Sequence, residues 1–146
     1  MKIRDIMTDD LAVVSPDTTV IEVAQLMQKH DVGAVPVCEG TNMLGLVTDR
    51  DIVVRNIAHG KDPQHTLVRD VMTTQVKSIS PEMSLSQAAG IMAAQQIRRL
   101  PVVDEDRLVG MVSLGDLATK AKYDVELSTT LGEISNPSEP EKMSGE

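Results

Sequence analysis

The sequence predicts an α/β (α+β) fold built from two tandem β-α-β-β-α repeats, and three observations carry the prediction. With one offset of 65 positions and no gap, residues 2–53 align on residues 67–118. Arg4, Asp5, Met7, Thr8, Ser15, Pro16, Ala24, Met27, Pro36, Val37, Gly45, Val47 and Asp51 recur unchanged in the second copy. Repetition at that scale fixes the architecture before any local reading. In each copy an apolar set at i, i+3, i+4 and i+7 follows a capping pattern, the signature of an amphipathic helix. Two short β-rich runs joined by a polar turn then follow each helix, which reads as a hairpin.

In chain order, residues 2–8 form a short helical lead-in that residues 67–73 repeat. Leu11-Ala12-Val13-Val14 is a short strand that stops at Ser15-Pro16, because a residue before proline is pushed to extended geometry. Thr19-Val20-Ile21-Glu22 is a capping box, and Val20, Val23, Ala24 and Met27 make the buried stripe of the helix it opens. In the second copy Ser84 and Gln87 cap, and Leu85, Ala88, Ala89 and Met92 form the stripe. The hairpins are Ala34–Cys38 with Met43–Val47, and Leu100–Val103 with Leu108–Val112. A second helix then runs over Asp49–Ala58 and over Leu114–Ala121. The predicted units are residues 2–58, a linker of turn formers over 59–66, residues 67–122, and an acidic disordered tail over 123–146.

One copy of about 60 residues buries too little surface to be stable alone, so the two must share a core. The net charge of −8 argues against a nucleic-acid partner, which would meet a basic face. No stretch approaches the roughly 18 apolar residues of a membrane span, and the first residues lack a signal-peptide core. The lone Cys38 makes no internal disulfide, so a cytoplasmic location is expected. With no Trp, no Phe and one Tyr, any planar ligand must lie between aliphatic side chains.

Two motifs occur in each copy. Val32-Gly33-Ala34-Val35-Pro36-Val37 matches Ile97-Arg98-Arg99-Leu100-Pro101-Val102, and Gly45-Leu46-Val47-Thr48-Asp49-Arg50-Asp51 matches Gly110-Met111-Val112-Ser113-Leu114-Gly115-Asp116. A tandem unit with these motifs resembles the CBS domain pair, or Bateman module, over residues 2–122. The run from His30 to Val53 is similar to small stand-alone bacterial members of the hypoxic response protein type. The resemblance implies two repeats packed about a pseudo-twofold axis with two equivalent clefts, and commonly a homodimer. It implies an adenosine-containing ligand, such as AMP, ADP, ATP, NAD or S-adenosylmethionine, and no catalytic cofactor. By that resemblance one cleft joins Thr48, Arg50 and Asp51 to Ser80, Ile97, Arg98, Arg99 and Pro101. The other joins Ser113, Gly115 and Asp116 to Ser15, Val32, Gly33, Ala34 and Pro36.

The chemistry is compatible with that assignment. A carboxylate at a helix start can accept both hydroxyls of a ribose, and a nearby hydroxyl with free helix N–H groups faces phosphates. Arg50, Arg98 and Arg99 would make the first cleft the phosphate site, since guanidinium forks grip phosphate oxygens. Adjacent strand residues point to opposite faces, so only one of Arg98 and Arg99 is expected to reach a given phosphate, and the register favours Arg98. The second cleft, with Gly33, Ala34 and Gly115 at the matching positions, is expected to be empty, to bind weakly, or to take a less charged adenosyl compound. Each feature also has a plainer reading. [ST]-x-x-D is itself a helix cap, and the prolines can simply end strand pairing. His30, His59 and His65 lack metal-ligand spacing, and Cys38 suits a small core residue. No nucleophile–base set or phosphate-binding glycine loop is present. The sequence therefore supports a sensor for an adenosyl small molecule acting on a regulated protein it does not name. The alternative is an interaction dimer with vestigial clefts.

Overall fold

The computed structural model describes residues 1–120, so the tail expected over 123–146 lies outside the described residues. Each repeat contributes a helix, α1 (Val20–His30) or α3 (Leu85–Gln95), and an antiparallel hairpin. The hairpins are β1 (Ala34–Glu39) with β2 (Asn42–Thr48), and β3 (Arg99–Asp104) with β4 (Arg107–Ser113). They meet at Asn42 and Arg107, giving the strand order β1-β2-β4-β3. The antiparallel pairs place Ala34 opposite Thr48 and Arg99 opposite Ser113, with a bulge after Val37 and after Val102.

The helices begin where the capping patterns put them. Ser84 and Gln87 form a full reciprocal box. At Thr19 only one half forms: its hydroxyl accepts the Glu22 N–H at 3.3 Å, without the return bond the sequence predicted. Val20, Val23 and Met27 are buried as expected, as are Ala88 and Met92, whereas Ala89 is exposed. Both helices stop at a non-glycine residue in the left-handed region, Asp31 and Gln96, each with φ of 54°.

Three features depart from the sequence reading. The stretch Leu11–Val14 is not a strand: Val14 alone bridges Val37, as Ile79 bridges Val102 in the second repeat. Pro36 does not end strand pairing. It lies inside edge strand β1, where its missing N–H is tolerated, and its carbonyl accepts the Val14 N–H at 3.1 Å. The helix after β2 is composite: α2 (Asp49–Asp51) continues as a π-helix over Ile52–Asn56 and a 3-10 turn over Ile57–His59. The wider turn carries Asn56 fully out of solvent, with no side-chain hydrogen bond among the described residues.

The lead-ins hold the halves together, because each packs on the opposite repeat. Ile3 is fully buried among Ile79, Leu100, Val102 and Val112 of the second repeat. Its N–H binds the Met83 carbonyl at 2.9 Å. Val68 and Val71 are fully buried against Val20, Val23, Val35 and Val47 of the first repeat. The backbones then lock: Thr8 exchanges both hydrogen bonds with Met111 of β4, and Thr73 does so with Leu46 of β2. Reciprocal ion pairs, Arg4–Glu82 and Arg69–Asp17, mark the same exchange at the surface. The motif glycines permit it. A Cβ on Gly45 would stand 2.7 Å from the Thr73 carbonyl, and one on Gly110 would stand 2.6 Å from the Met7 sulfur. Neither repeat has a complete core of its own.

Candidate functional site

Each hairpin ends in a hydroxyl residue that starts the next helix. The Asp51 N–H donates to the Thr48 hydroxyl at 3.1 Å, and the Asp116 N–H donates to the Ser113 hydroxyl at 3.1 Å. Opposite these helix starts, the Gly33 carbonyl accepts the Asp49 N–H and the Arg98 carbonyl accepts the Leu114 N–H, at 2.9 and 2.7 Å. The cap reading of [ST]-x-x-D is therefore realised in both repeats, and it holds each aspartate at a repeat–repeat boundary.

The two aspartates are nonetheless in different chemical situations. The Asp51 carboxylate accepts the Thr48 N–H at 3.0 Å and the Thr73 hydroxyl at 3.4 Å, with Arg55 Nε 3.8 Å away. Arg55 is itself turned to the Val71 and Met72 carbonyls at the end of the exchanged lead-in. The Asp116 side chain is exposed and accepts no hydrogen bond among the described residues. One carboxylate is engaged in holding the fold, and the other faces solvent.

Asp116 and Ser113 open onto a cleft of about 450 Å³ between the repeats. That volume lies within the range of small-molecule sites. Val32, Gly33, Ala34 and Pro36 line it from the first repeat. Ser15 and Gly115, expected in the same group, are not among the lining residues: the Ser15 hydroxyl lies 3.3 Å from that of Thr18. The exchanged lead-in and the stretch after it add Thr8, Asp10, Leu11 and Ala12, the end of α1 adds His30 and Asp31, and β4 adds Met111 and Val112. Sequence reasoning missed these eight. The recurrence of Thr8 as Thr73 was the one signal in the chain that could have pointed to them.

The assignment of Arg99 to the first cleft is corrected. Its side chain lines the second cleft, with the guanidinium against Gly33: a Cβ there would stand 2.7 Å from Arg99 Nη2 and 2.9 Å from Asp49 Oδ2. The remaining first-cleft residues are Thr48 and Asp51 in their mutual cap, Arg50 and Arg98, both exposed, and Ile97, packed on the second core. Ser80 accepts the Glu82 N–H at 3.1 Å, and Pro101 is buried in β3. Cys38 is buried in β1, and desolvation raises its thiol above the usual range, so it is a packing residue.

The sequence pattern of the CBS domain matches this chain twice, over residues 3–56 and 68–123. The chain belongs to the CBS domain family. The CBS domain-containing protein YhcV of Bacillus subtilis is 47% identical over 92% of this chain and 95% of its own length. Hypoxic response protein 1 of Mycobacterium tuberculosis is 36% identical over 79% of this chain and 81% of its own. Among solved structures, a CBS-domain protein of Burkholderia ambifaria superposes with a TM-score of 0.79 at 26% identity, covering 85% of this chain and 96% of its own. Hypoxic response protein I, solved with two coordinated zinc ions, has a TM-score of 0.75 at 34% identity, covering 82% and 98%. Among the described residues of this CBS pair, no three His, Cys, Asp or Glu side chains converge as metal ligands. Nor is any helix among the described residues long and apolar enough to cross a membrane.

Proposed function

We propose that this CBS pair is a regulatory sensor that binds an adenosine-containing ligand in the cleft between its repeats. The supporting observation is the open cleft bounded by Asp116 and Ser113 of one repeat and by Gly33, Ala34 and Pro36 of the other. A carboxylate with no internal partner among the described residues is suited to a ribose diol, and small aliphatic walls are suited to a flat base in a chain almost without aromatic residues. The ligand bridges both repeats, so its occupancy biases their arrangement, and a partner protein reads that bias. The chain itself carries out no chemistry in this reading, and it works in a reducing cytoplasm. CBS pairs hold such ligands elsewhere: one fold neighbour at 22% identity and a TM-score of 0.76 was solved with 5′-methylthioadenosine and S-adenosyl-L-methionine.

The test is thermal unfolding of the full chain with AMP, ADP, ATP, NAD, S-adenosylmethionine and GTP, beside Asp116→Ala and Asp51→Ala. A ligand at 100 times its Kd adds about 2.7 kcal/mol, a rise of several degrees for a chain of this size. We expect an adenine-specific rise that is lost in Asp116→Ala and kept in Asp51→Ala.

A second reading, a homodimeric interaction module with unused clefts, has its own support. Val53, Val54 and Ile57 are 58%, 42% and 54% exposed on the helical segment after β2, a cost unless another surface covers them. No response to any nucleotide, together with a stable dimer that Ile57→Lys disrupts, would favour this reading.

A further inference from the structure

We propose that the open cleft is a charge filter: it takes adenosyl compounds whose 5′ substituent is neutral or cationic and turns away polyphosphates. The inference rests on the sensor reading and names the ligand class for that same site. Asp10, Asp31 and Asp116 line the cleft against a single guanidinium, that of Arg99. The formal balance, three carboxylates against one cation, is −2 with His30 neutral. The end of α1 adds to it, because His30 and Asp31 line the cleft and a helix C-terminus carries partial negative charge. The opposing helix start, where an anion would be favoured, already bears the Asp116 carboxylate.

The 65-residue offset provides an internal control. Asp10 and Asp31 correspond to Gln75 and Gln96, while Ala12 and Gly33, which also line the open cleft, correspond to Lys77 and Arg98. At these four positions the open cleft carries two negative charges and its counterpart carries two positive ones. The backbone is shared, down to the left-handed Asp31 and Gln96, so the difference lies in side chains. A triphosphate entering the open cleft would bring several negative charges to three carboxylates and meet one arginine. A sulfonium or amino group at the 5′ end would instead meet carboxylates.

Isothermal titration of the full chain, without divalent cations, would use 5′-methylthioadenosine, S-adenosylmethionine, AMP and ATP. Wild type, Asp116→Ala, Asp51→Ala and the double variant Asp10→Asn/Asp31→Asn would be compared. Asparagine is at home in the left-handed region, so the Asp31 change leaves the end of α1 intact. We expect the first two compounds to bind in a way that needs Asp116 and not Asp51, and ATP to bind there at least ~10-fold more weakly. In the double variant ATP should gain and S-adenosylmethionine lose ~3- to 10-fold, with 5′-methylthioadenosine unmoved. ATP binding as tightly as S-adenosylmethionine at the Asp116 cleft, or a preference unchanged in the double variant, overturns the filter and leaves the sensor reading standing. Failure of all four compounds, the uncharged one included, overturns both.

Discussion

The two repeats differ least where they touch each other and most where they face the clefts. Ile3 and Val68 occupy equivalent buried positions, each in the other repeat's core, and Gly45 and Gly110 each admit the incoming lead-in. At the clefts the correspondence breaks: Gly33 against Arg98, Asp10 against Gln75, Asp31 against Gln96. Even the shared aspartate diverges, with Asp51 held by Thr73 and Arg55 while Asp116 faces solvent. A duplicated fold whose halves complete each other constrains the joint positions. It leaves the cleft-facing ones free to become two different sites.

The most severe way to test that reciprocity is Ile3→Ala. Truncating a fully buried isoleucine costs about 2–5 kcal/mol, and the contacts place that loss in the second core although Ile3 belongs to the first repeat by sequence. Native-state hydrogen exchange should show protection falling first over residues 79–117. An early loss confined to residues 14–52 would mean that the lead-in does not serve the opposite repeat. Next in size is Gly45→Ala, where the new methyl meets the Thr73 backbone carbonyl at 2.7 Å, and Thr73 is held in place by the two backbone hydrogen bonds it exchanges with Leu46. Overpacking of this kind costs about 1–3 kcal/mol. Gly110→Ala meets the Met7 side chain first, and a methionine can turn aside. Denaturant titration of the two variants should therefore rank Gly45→Ala as the more damaging, and equal losses would argue against the asymmetry.

The sequence made the local half of this molecule readable. Helix periodicity, the Ser84–Gln87 box and the hairpins all depend on residues a few positions apart, and the structure has them close to where the pattern put them. The exchange of lead-ins was not readable, because a backbone bridge such as Thr8 to Met111 leaves no mark in either segment alone. The recurrence of Met7-Thr8 as Met72-Thr73 showed that something mattered there, and not what. The π-turn at Ile52–Asn56 follows from no propensity in its residues. At the candidate site, the motif located Asp51 and Asp116 alike. What distinguishes them is chiefly the Thr73 hydroxyl, which only the fold brings to Asp51, beside Arg55 one helical turn further along the chain. The direction of Arg99 was likewise a matter of which way the first residue of β3 faces.

The hairpin turns sharpen the comparison in the stabilising direction. Gly40 takes φ of 62° at no steric cost, but the second turn places Glu105 at 51° and Asp106 at 66°, where side chains are strained. Two consecutive positive φ values are what Asn-Gly accommodates best. Replacing Glu105-Asp106 by Asn-Gly should stabilise the protein by about 1 kcal/mol, while Gly40→Ala should destabilise it. A neutral or adverse result for the Asn-Gly chain in urea titration would remove the claim that the second hairpin is strained.

The smallest expected effect lies in the linker, which belongs to neither repeat. Asp62 accepts the Gln64 N–H at 2.9 Å and faces His65 Nδ1 at 2.6 Å, and these two contacts hold its carboxyl below the ordinary carboxylate range. A group whose pKa is lowered on folding contributes stability above its unfolded value of about 3.9 and loses it as pH falls through the folded value. Asp62 is fully exposed and its contacts are within the turn, so the effect should be slight beside the exchanges above. The difference in Tm between wild type and Asp62→Asn should be present at pH 6 and vanish toward pH 2, and a carbon-detected NMR titration should place the Asp62 midpoint below that of exposed carboxylates. A difference that persists at low pH would show that the aspartate acts through turn geometry and not through its charge.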